Sequence, residues 1–321
     1  MQMNMVGAIN NALELIMKEN EGVVLLGEDI GTDGGVFRVT DGLLAKFGEE
    51  RVIDTPLAES AILGTSIGMA LAGMHPIPEI QFAGFMYEGF AQLINHAARY
   101  RSRSRSRFTV PMVVRVPVSG GVRTLEHHSE SPEAFYSHVG GLIVVEPSGP
   151  YDAKGLLIKA ARMQDPILFL EPTKLYRLFK QEVPEEAYEI EIGKANIVKE
   201  GNDLTIITYG TMLPLVKNVV EKKGVSAQIV DLRTINPLDE SAIISSVKKT
   251  GKVMIVNEAP LSFGVGAEIA ARIAEKAIYD LDAPVMRVAS DSFPYPFPGY
   301  EQYYIPNETK ISRAIDKLIS S

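Results

Sequence analysis

The 321-residue chain contains no cysteine, which excludes disulfides, thiolate nucleophiles and cysteine-based zinc or iron–sulfur sites. Positive charge is also scarce, since 32 lysines and arginines face 40 aspartates and glutamates, for a formal net charge of −8. A general nucleic-acid binder needs cations to neutralise phosphates. The charge balance therefore argues against nucleic acid as a partner.

Targeting and membrane-spanning segments are missing from the sequence as well. The first lysine or arginine is Lys18, so the chain lacks the basic start of a signal or transit peptide. The uncharged run over residues 61–74 is too short and too rich in glycine to span a bilayer. We therefore expect a soluble, cytoplasmic protein with no membrane partner.

Common cofactor and metal motifs are absent. Residues 264–269, G-V-G-A-E-I, begin like a dinucleotide fingerprint, but Ile269 occupies the third glycine position, so we interpret the glycines as a tight turn into a helix. No P-loop occurs. His127 and His128 are adjacent and the other three histidines are isolated, so we expect no metal site on this chain.

Short apolar runs alternate with helical patterns along the chain. Runs that are apolar on both faces and separated by helices favour an α/β fold with a parallel sheet covered on both sides. The predicted strands cover residues 23–27, 78–82, 111–116, 142–147, 166–172, 204–209, 227–232, 253–258 and 284–289. The predicted helices cover residues 5–19, 59–74, 90–100, 153–163, a segment ending near 222, 240–248 and a segment from 266.

A charge-rich segment over residues 176–200 interrupts this alternation. It predicts two α/β domains, residues 1–185 and 186–321, with a single continuous domain as the alternative because the length fits either. Arginines alternate over residues 99–107, and on an extended segment they would share one face. We interpret this run as a solvated or interface surface rather than an RNA-binding one.

Glu59 stands out because it precedes the uncharged run, in D-T-P-L-A-E-S-A over residues 54–61. Dehydrating an ionised carboxylate is costly. Glu59 is therefore either an acid that complements a helix N-terminus, worth roughly 0.3–1 kcal/mol, or a carboxyl group held in apolar surroundings for chemistry. The residues around it leave both interpretations open.

Several motifs, in the same order and through nearly the whole chain, resemble the β subunits of the thiamine-diphosphate-dependent 2-oxoacid dehydrogenases. The motifs are D-T-P-L-A-E-S-A, P-E-I-Q-F-A-G-F, H-H-S-E-S-P-E, F-L-E-P with L-Y-R, and V-D-L-R-T-I-N-P-L-D. Within that family the sequence resembles the branched-chain 2-oxoacid enzyme most, with pyruvate and acetoin enzymes as alternatives. The resemblance implies a pyrimidine-binding domain up to residue 185, followed by a transketolase-like C-terminal domain.

The resemblance also implies which residues meet the cofactor. Glu59 would hydrogen-bond the ring nitrogen of its aminopyrimidine, Phe85 would lie against that ring, and Leu57 and Gln81 would help to line it. A carboxyl group that shares a proton with this nitrogen favours the tautomer that the chemistry needs, and an apolar setting favours the protonated carboxyl. Phe82 and Phe90 lie near Phe85 in the sequence, so a core phenylalanine is the competing interpretation.

His128 matches the active-site histidine of the family, which is thought to assist acyl transfer to a lipoyl arm. Imidazole can gain or lose a proton near neutral pH, which suits that role. The segment here is H-S-E where the family has an H-S-Q-like segment, so Glu130 could orient a nearby histidine. His127 is the competing candidate.

The chain contains no Gly-Asp-Gly, the start of the motif with which thiamine enzymes hold magnesium and diphosphate. The resemblance therefore implies that an α subunit holds the Mg²⁺ and shares the thiamine diphosphate, in a heterotetramer of two α and two β subunits. It also implies contact between the C-terminal domain and a dihydrolipoyl acyltransferase core, for which the Pro- and Tyr-rich residues 294–304 are our candidate. Some relatives bind potassium, but Met163 stands where one of their aspartate ligands lies.

The sequence is also compatible with two alternatives to a catalytic β subunit. The first is a non-catalytic scaffold subunit with the same fold. The second is a self-contained transketolase-type enzyme, against which the missing Gly-Asp-Gly argues.

Overall fold

The computed structural model describes residues 1–321, and its strands and helices alternate as the sequence predicts. The strands are β1 (Gln2–Met3), β2 (Val23–Gly27), β3 (Val52–Asp54), β4 (His75–Glu79), β5 (Val113–Val118), β6 (Ile143–Val145), β7 (Ile167–Pro172), β8 (Gln181–Glu182), β9 (Asn196–Lys199), β10 (Leu204–Thr208), β11 (Ala227–Asp231), β12 (Thr234–Asn236), β13 (Val253–Pro260) and β14 (Met286–Ser290). The α-helices are α1 (Met5–Glu19), α2 (Leu43–Phe47), α3 (Glu59–Leu71), α4 (Tyr100–Arg103), α5 (Glu133–Ser137), α6 (Pro150–Ala161), α7 (Met212–Lys223), α8 (Glu240–Thr250), α9 (Val265–Ala277), α10 (Glu301–Tyr304) and α11 (Glu308–Ile319).

The first sheet has seven strands in the order β12-β6-β7-β5-β4-β2-β3. All of its neighbours are parallel except β12, which runs antiparallel to β6. Successive residues of a strand point to opposite faces. Leu25 and Val113 accordingly lie in one apolar core, with α1 and α6, whereas Leu26 and Val114 lie in another, with α3. The prediction of a parallel sheet covered on both faces is confirmed.

The second sheet has five strands in the order β14-β13-β10-β11-β9, of which only β9 is antiparallel to its neighbour. Helices α7 and α11 pack on one face of this sheet, and α8 and α9 pack on the other. The chain thus has the predicted α/β architecture built around two sheets. The division at residue 185 stays a prediction, and the structure adds that β12 crosses from the second half to extend the first sheet.

Most predicted elements lie within a few residues of their predicted bounds, and α1 and β2 match them. The clearest difference is β4, which covers His75–Glu79 rather than residues 78–82. His75 N donates to Gly22 O on the β2 side, so the prolines at alternate positions, Pro76 and Pro78, direct their nitrogens toward β5. Strand β5 pairs with β4 only at its end, through Glu79, so the missing N–H groups cost no ladder bonds.

The segment predicted as a helix over residues 90–100 is helical but irregular. It contains a π-helical turn at Gln92–His96 and a 3₁₀ turn at Ala97–Arg99 before α4 begins. Helix α4 and the positive φ of Arg105 (54°) prevent the alternating arginines from sharing one extended face. Arg101 forms an ion pair with Asp165 at 2.5 Å, and the other four arginines are exposed, as expected of a solvated surface.

No helix of the protein combines the length and the apolar character that crossing a membrane would require.

Candidate functional site

The predicted site residues follow three parallel strands of the first sheet, β5, β4 and β3, at the edge where these strands end, and β2 lies between β4 and β3. Glu59 follows β3, Gln81 and Phe85 follow β4, and His128 follows β5. The carboxyl ends of parallel strands are where α/β proteins place ligands, because the loops there are free to carry functional side chains. The topology therefore gathers residues that lie as many as 69 positions apart, from Glu59 to His128, at one sheet edge.

Glu59 is the first residue of α3 and its side chain is half-buried. Its carboxylate makes no hydrogen bond and no ion pair within the chain. Leu57, two residues earlier, is 79% exposed. The expectation that apolar neighbours keep Glu59 dry is therefore wrong for this chain by itself, since the helix after it is covered on one side only.

The exposed side of α3 consists of small uncharged residues. They recur at the spacing of one helix face, at Ala61, Gly64, Thr65, Gly68 and Ala72. The opposite side, with Ile62, Leu63 and Ile67, is buried in the core under the sheet. The residue types do not predict this division, because an uncharged small residue suits either environment.

Glu28, which the sequence analysis missed, lies directly after β2 and is only 3% exposed. Neither oxygen of its carboxyl group has a hydrogen-bond partner. Burial, and then the charges of Glu59 and Asp29, raise the pKa of Glu28 to about 7. The site therefore contains a second carboxyl group close enough to feel the charge of Glu59, and this one can hold a proton near neutral pH.

Gln81 and Phe85 lie on the segment after β4. The Gln81 side-chain amide donates to Asp29 Oδ2 at 3.2 Å, which ties the β4 and β2 loops together. Phe85 is half-buried, whereas Phe82 is 8% exposed and packs edge-on against it with ring centroids 5.9 Å apart. Of the candidate phenylalanines Phe90 lies farther off, with its ring against Tyr136. Of Phe82 and Phe85, Phe85 therefore has the more accessible ring.

His128 packs against both phenylalanines, with centroid distances of 4.2 Å to Phe82 and 5.4 Å to Phe85. His127 is the more exposed of the two histidines, and its ring centroid lies 6.5 Å from that of Phe85. The backbone there is so close to Gly84 that a Cβ on this glycine would lie 2.6 Å from His127 O. The structure thus places His128 nearer to the aromatic wall than His127.

Glu130 does not hydrogen-bond either imidazole. Its Oε2 instead accepts a hydrogen bond of 3.0 Å from Tyr87 Oη. Glu130 therefore does not orient a histidine in this structure, because its carboxylate is turned toward the residues after β4. Beyond Glu130 a cleft of 780 Å³ opens between the two halves of the chain, with Phe263 and Tyr295 on its far wall, and Glu59 is not among its lining residues.

A buried ion network lies directly beneath the site. Arg115 on β5 donates to Glu79 on β4 at 2.6 Å and to Glu171 on β7 at 2.7 Å, and Tyr176 donates to Glu171 at 2.6 Å. These four residues are all 5% exposed or less. Buried charges persist only when they are paired and hydrogen-bonded. The network fixes the ends of three strands and so gives the loops above a rigid base.

No group of three or more histidine, aspartate or glutamate side chains has an arrangement that could hold a metal ion.

Comparison with known proteins identifies the family. The model of the transketolase pyrimidine-binding domain matches residues 1–178, and that of the transketolase C-terminal domain matches residues 193–311. The pyruvate dehydrogenase E1 component subunit beta of Acholeplasma laidlawii is 51% identical over 314 residues, which are 97% of this chain and 96% of that protein. The chain belongs to the β-subunit family of the thiamine-dependent 2-oxoacid dehydrogenases.

Further relatives and a solved structure agree with this placement. The β-subunit proteins of the same name from Staphylococcus epidermidis and Staphylococcus aureus are 50% and 49% identical over 313 residues, with 97% of this chain and 96% of each relative covered. A structure described as a split-gene transketolase, an inactive β4 tetramer, superposes with a TM-score of 0.80 over 99% of this chain and 98% of that one. At 21% identity this last likeness supports the fold alone.

The family assignment of the sequence analysis is confirmed at the level of a 2-oxoacid dehydrogenase β subunit. The narrower prediction of a branched-chain enzyme is not supported. These relatives are pyruvate dehydrogenase β subunits, which favours the pyruvate alternative.

Proposed function

We propose that this chain is the β subunit of a pyruvate dehydrogenase, active together with an α subunit. The pair would catalyse the thiamine-dependent oxidative decarboxylation of pyruvate and transfer the acetyl group to a lipoyl-lysine. The observation that carries this proposal is the 51% identity to a pyruvate dehydrogenase β subunit over 97% of the chain. Branched-chain 2-oxoacids and acetoin are the competing substrates.

The residues of the site fit the pyrimidine end of thiamine diphosphate. Glu59 offers a carboxylate that no group of the chain engages, Phe85 offers a half-exposed ring face, and Leu57 and Gln81 flank them. We propose that these four residues bind the aminopyrimidine. Thiamine, when bound, supplies the carbon nucleophile of the reaction.

Within this proposal the chain contributes a positioned proton. The Glu59 carboxyl group holds a proton against the pyrimidine ring nitrogen. Glu28 is buried, and burial together with the charges of Glu59 and Asp29 raises its pKa to about 7, so Glu28 can hold a second proton close to Glu59 near neutral pH. His128, beside Phe82 and Phe85, holds or gives a proton where the acyl group departs.

This chain has no comparable set of residues for the diphosphate end of thiamine diphosphate. The sequence has no Gly-Asp-Gly, and no group of three or more acidic or histidine side chains has an arrangement that could hold a metal ion. We therefore propose that an α subunit holds the Mg²⁺ and the diphosphate, and that two α and two β chains form a cytoplasmic heterotetramer. The exposed face of α3 with Gly64 and Gly68 is uncharged, consists of small residues and lies on the helix that Glu59 begins, which makes it the surface we assign to the α subunit.

The C-terminal half carries the candidate surface for the dihydrolipoyl acyltransferase core. In the Pro- and Tyr-rich segment over residues 294–304, Phe297, Tyr300 and Tyr303 are between 63% and 74% exposed. Exposed aromatic side chains in such number are typical of binding surfaces. We propose that the acyltransferase core binds here.

Reconstitution with an α subunit tests the proposed function. We expect no 2-oxoacid-dependent dye reduction from this chain alone. With the α subunit present we expect turnover with a higher kcat/KM for pyruvate than for 2-oxobutyrate or 2-oxoisovalerate. Preference for 2-oxoisovalerate would restore the branched-chain assignment, and full activity of the isolated chain would contradict the proposal of a divided site.

A further inference from the structure

We infer that two carboxylates of the C-terminal half, Glu258 and Glu301, are positioning residues for the segment that carries His128. This segment, residues 119–130, belongs to the first half of the chain and follows β5. The inference rests on the proposed function for the role of His128. The contacts that carry it stand independently of that role.

The segment is closed at its base and braced inside. Ser119 N donates to Glu130 O at 2.9 Å, so the two ends meet. Thr124 and Ser129 share a hydroxyl–hydroxyl hydrogen bond of 2.8 Å. A loop of this kind moves largely as a unit, because its ends are joined and its own side chains pack inside it. Contacts at residues 120 and 121 therefore affect where His128 lies.

Both of those residues are held by the C-terminal half. Gly120 N donates to Glu258 Oε1 at 2.5 Å, and Gly121 N donates to Glu301 Oε1 at 2.7 Å. Tyr295 Oη accepts a second, longer hydrogen bond of 3.3 Å from Gly121 N and donates to Glu301. Hydrogen bonds from backbone N–H groups to carboxylates are among the stronger ones in proteins.

The two carboxylates are themselves fixed. Glu258, at 6% exposed, lies on β13 and its other oxygen accepts a hydrogen bond of 2.5 Å from Thr211 Oγ1. Glu301 is 7% exposed and begins α10. Neither carboxylate contacts the aminopyrimidine residues, so neither has a part in the cofactor site described above. Their hydrogen bonds to the N–H groups of Gly120 and Gly121 explain their placement.

The sequence S-G-G at residues 119–121 suits this contact. A Cβ on Gly120 would lie 1.9 Å from Tyr295 Oη, and Gly121 has a φ of +88°. Only glycine allows the backbone to approach the C-terminal half so closely and with that conformation. On its other side the segment is held by Phe82, against which His128 packs. The segment is thus held at His128 by an aromatic wall from one half and at residues 120 and 121 by a pair of carboxylates from the other.

Hydrogen exchange of the folded chain, followed by mass spectrometry, tests the inference without any substrate. Glu301→Ala should raise the exchange rate of the amides over residues 120–124 by at least about tenfold, as expected for loss of a hydrogen bond to a charged group. Glu301→Gln keeps an acceptor oxygen and should restore exchange to near the wild-type rate. The matched control is Asp152→Asn, which breaks an ion pair of 2.6 Å with Arg233 between the same two halves but does not contact the segment.

Unchanged exchange in a folded Glu301→Ala variant would overturn the inference, as would an equal increase in the Asp152→Asn control. If Glu301→Ala fails to fold, Tyr295→Phe removes only the hydroxyl group and should raise exchange at residue 121 by about threefold. No change at residue 121 in that variant would count against the inference.

The assembled enzyme supplies a second readout. With the α subunit present, Glu301→Ala should lower the rate of lipoyl acylation several-fold and leave the KM of the 2-oxoacid in dye reduction unchanged. If wild-type protein shows no 2-oxoacid turnover at all, the proposed function fails, but the exchange experiment still decides whether the carboxylates position the segment. Faster exchange with unaltered acylation would overturn the positioning role.

Discussion

Two carboxyl groups with opposite surroundings lie at the centre of the candidate site. Glu59 is half-buried and open to a ligand, whereas Glu28 is 3% exposed and has no partner for either oxygen. The arrangement of Glu28 costs free energy, since a buried unpaired carboxyl group is destabilising, whereas Glu59 is free to meet a ligand. A buried carboxyl group and an open one at a sheet edge with an accessible aromatic ring suit the binding of a polar ring.

Replacing Glu59 tests its role as the proton donor to the pyrimidine nitrogen. We expect Glu59→Gln to lower 2-oxoacid-dependent dye reduction of the reconstituted enzyme by at least about a hundredfold, the usual range for loss of an acid–base group. Assembly with the α subunit, measured by gel filtration, should be unchanged. Glu268→Gln, at an exposed acid in the first turn of α9, is the control for a mere helix-start effect. Retained activity in Glu59→Gln would favour the scaffold interpretation.

Replacing Glu28 tests whether its carboxyl group is held protonated. Because its pKa is raised to about 7 in the folded chain, the folded state binds the proton more tightly and stability falls as the pH rises from about 4.5 to about 7. A glutamine cannot ionise. We therefore expect Glu28→Gln to be more stable than wild type by about 1–2 kcal/mol at pH 8 and equal to it at pH 4, measured by urea unfolding. An equal difference at both pH values would contradict this.

The sequence predicts residue roles only in part. Glu59 is ambiguous from its neighbours, since small uncharged residues suit both a core and a contact surface, and the resemblance to a family decides its role rather than local chemistry. Glu28 escapes prediction because an acid after a buried strand usually points into water. The only signal available was its place, directly after an all-apolar strand at the edge where the other site residues gather.

At the scale of elements, the spacing of apolar residues predicts those strands and helices whose apolar side chains are buried in the core. Strand β2 and helix α1 are apolar in the patterns that their burial demands, so they match their predicted bounds. Strand β4 does not match, because its two prolines argue against a strand in the sequence. They are tolerated because they face β5, with which β4 pairs only at Glu79. The single-chain pattern also cannot tell that one face of α3 is left uncovered.

That uncovered face of α3 yields a prediction about assembly. A Cβ on Gly68 meets no atom within 4 Å, so Gly68→Arg should leave the isolated chain folded. If the α subunit covers this face, a buried unpaired guanidinium should weaken its binding by at least about tenfold, measured by calorimetry. Ser245→Arg, on the exposed side of α8, is the matched control. Undiminished binding of the Gly68→Arg variant would remove α3 from the proposed interface.

At the scale of the whole molecule, acidic side chains cluster where the two halves meet. Burial raises the pKa of both Glu133 and Asp231 to about 7, and it raises that of Glu146 and Glu258 as well. Tyr209 donates to Glu133 at 2.7 Å across this contact. Sequence patterns cannot reveal such a cluster, since its members come from separate elements and meet only when the two sheets pack together.

The acidic cluster predicts how stability depends on pH. The folded-state pKa values lie above those of the unfolded chain, so the stabilisation is complete below about pH 4 and is lost as the pH rises through about 7. Asp231→Asn should therefore raise stability by about 1–3 kcal/mol at pH 8 and have little effect at pH 4. Thermal unfolding at the two pH values checks this. A variant less stable than wild type at pH 8 would show that the ionised form is the favoured one.

The divided cofactor site is the central claim, and thiamine diphosphate binding tests it most directly. Isothermal calorimetry in the presence of Mg²⁺ would compare this chain, an α subunit and the two together. We expect saturable micromolar binding only in the mixture, weakened by Glu59→Gln, because the pyrimidine end belongs to this chain and the diphosphate end to its partner. Equally tight binding by this chain alone would contradict the account.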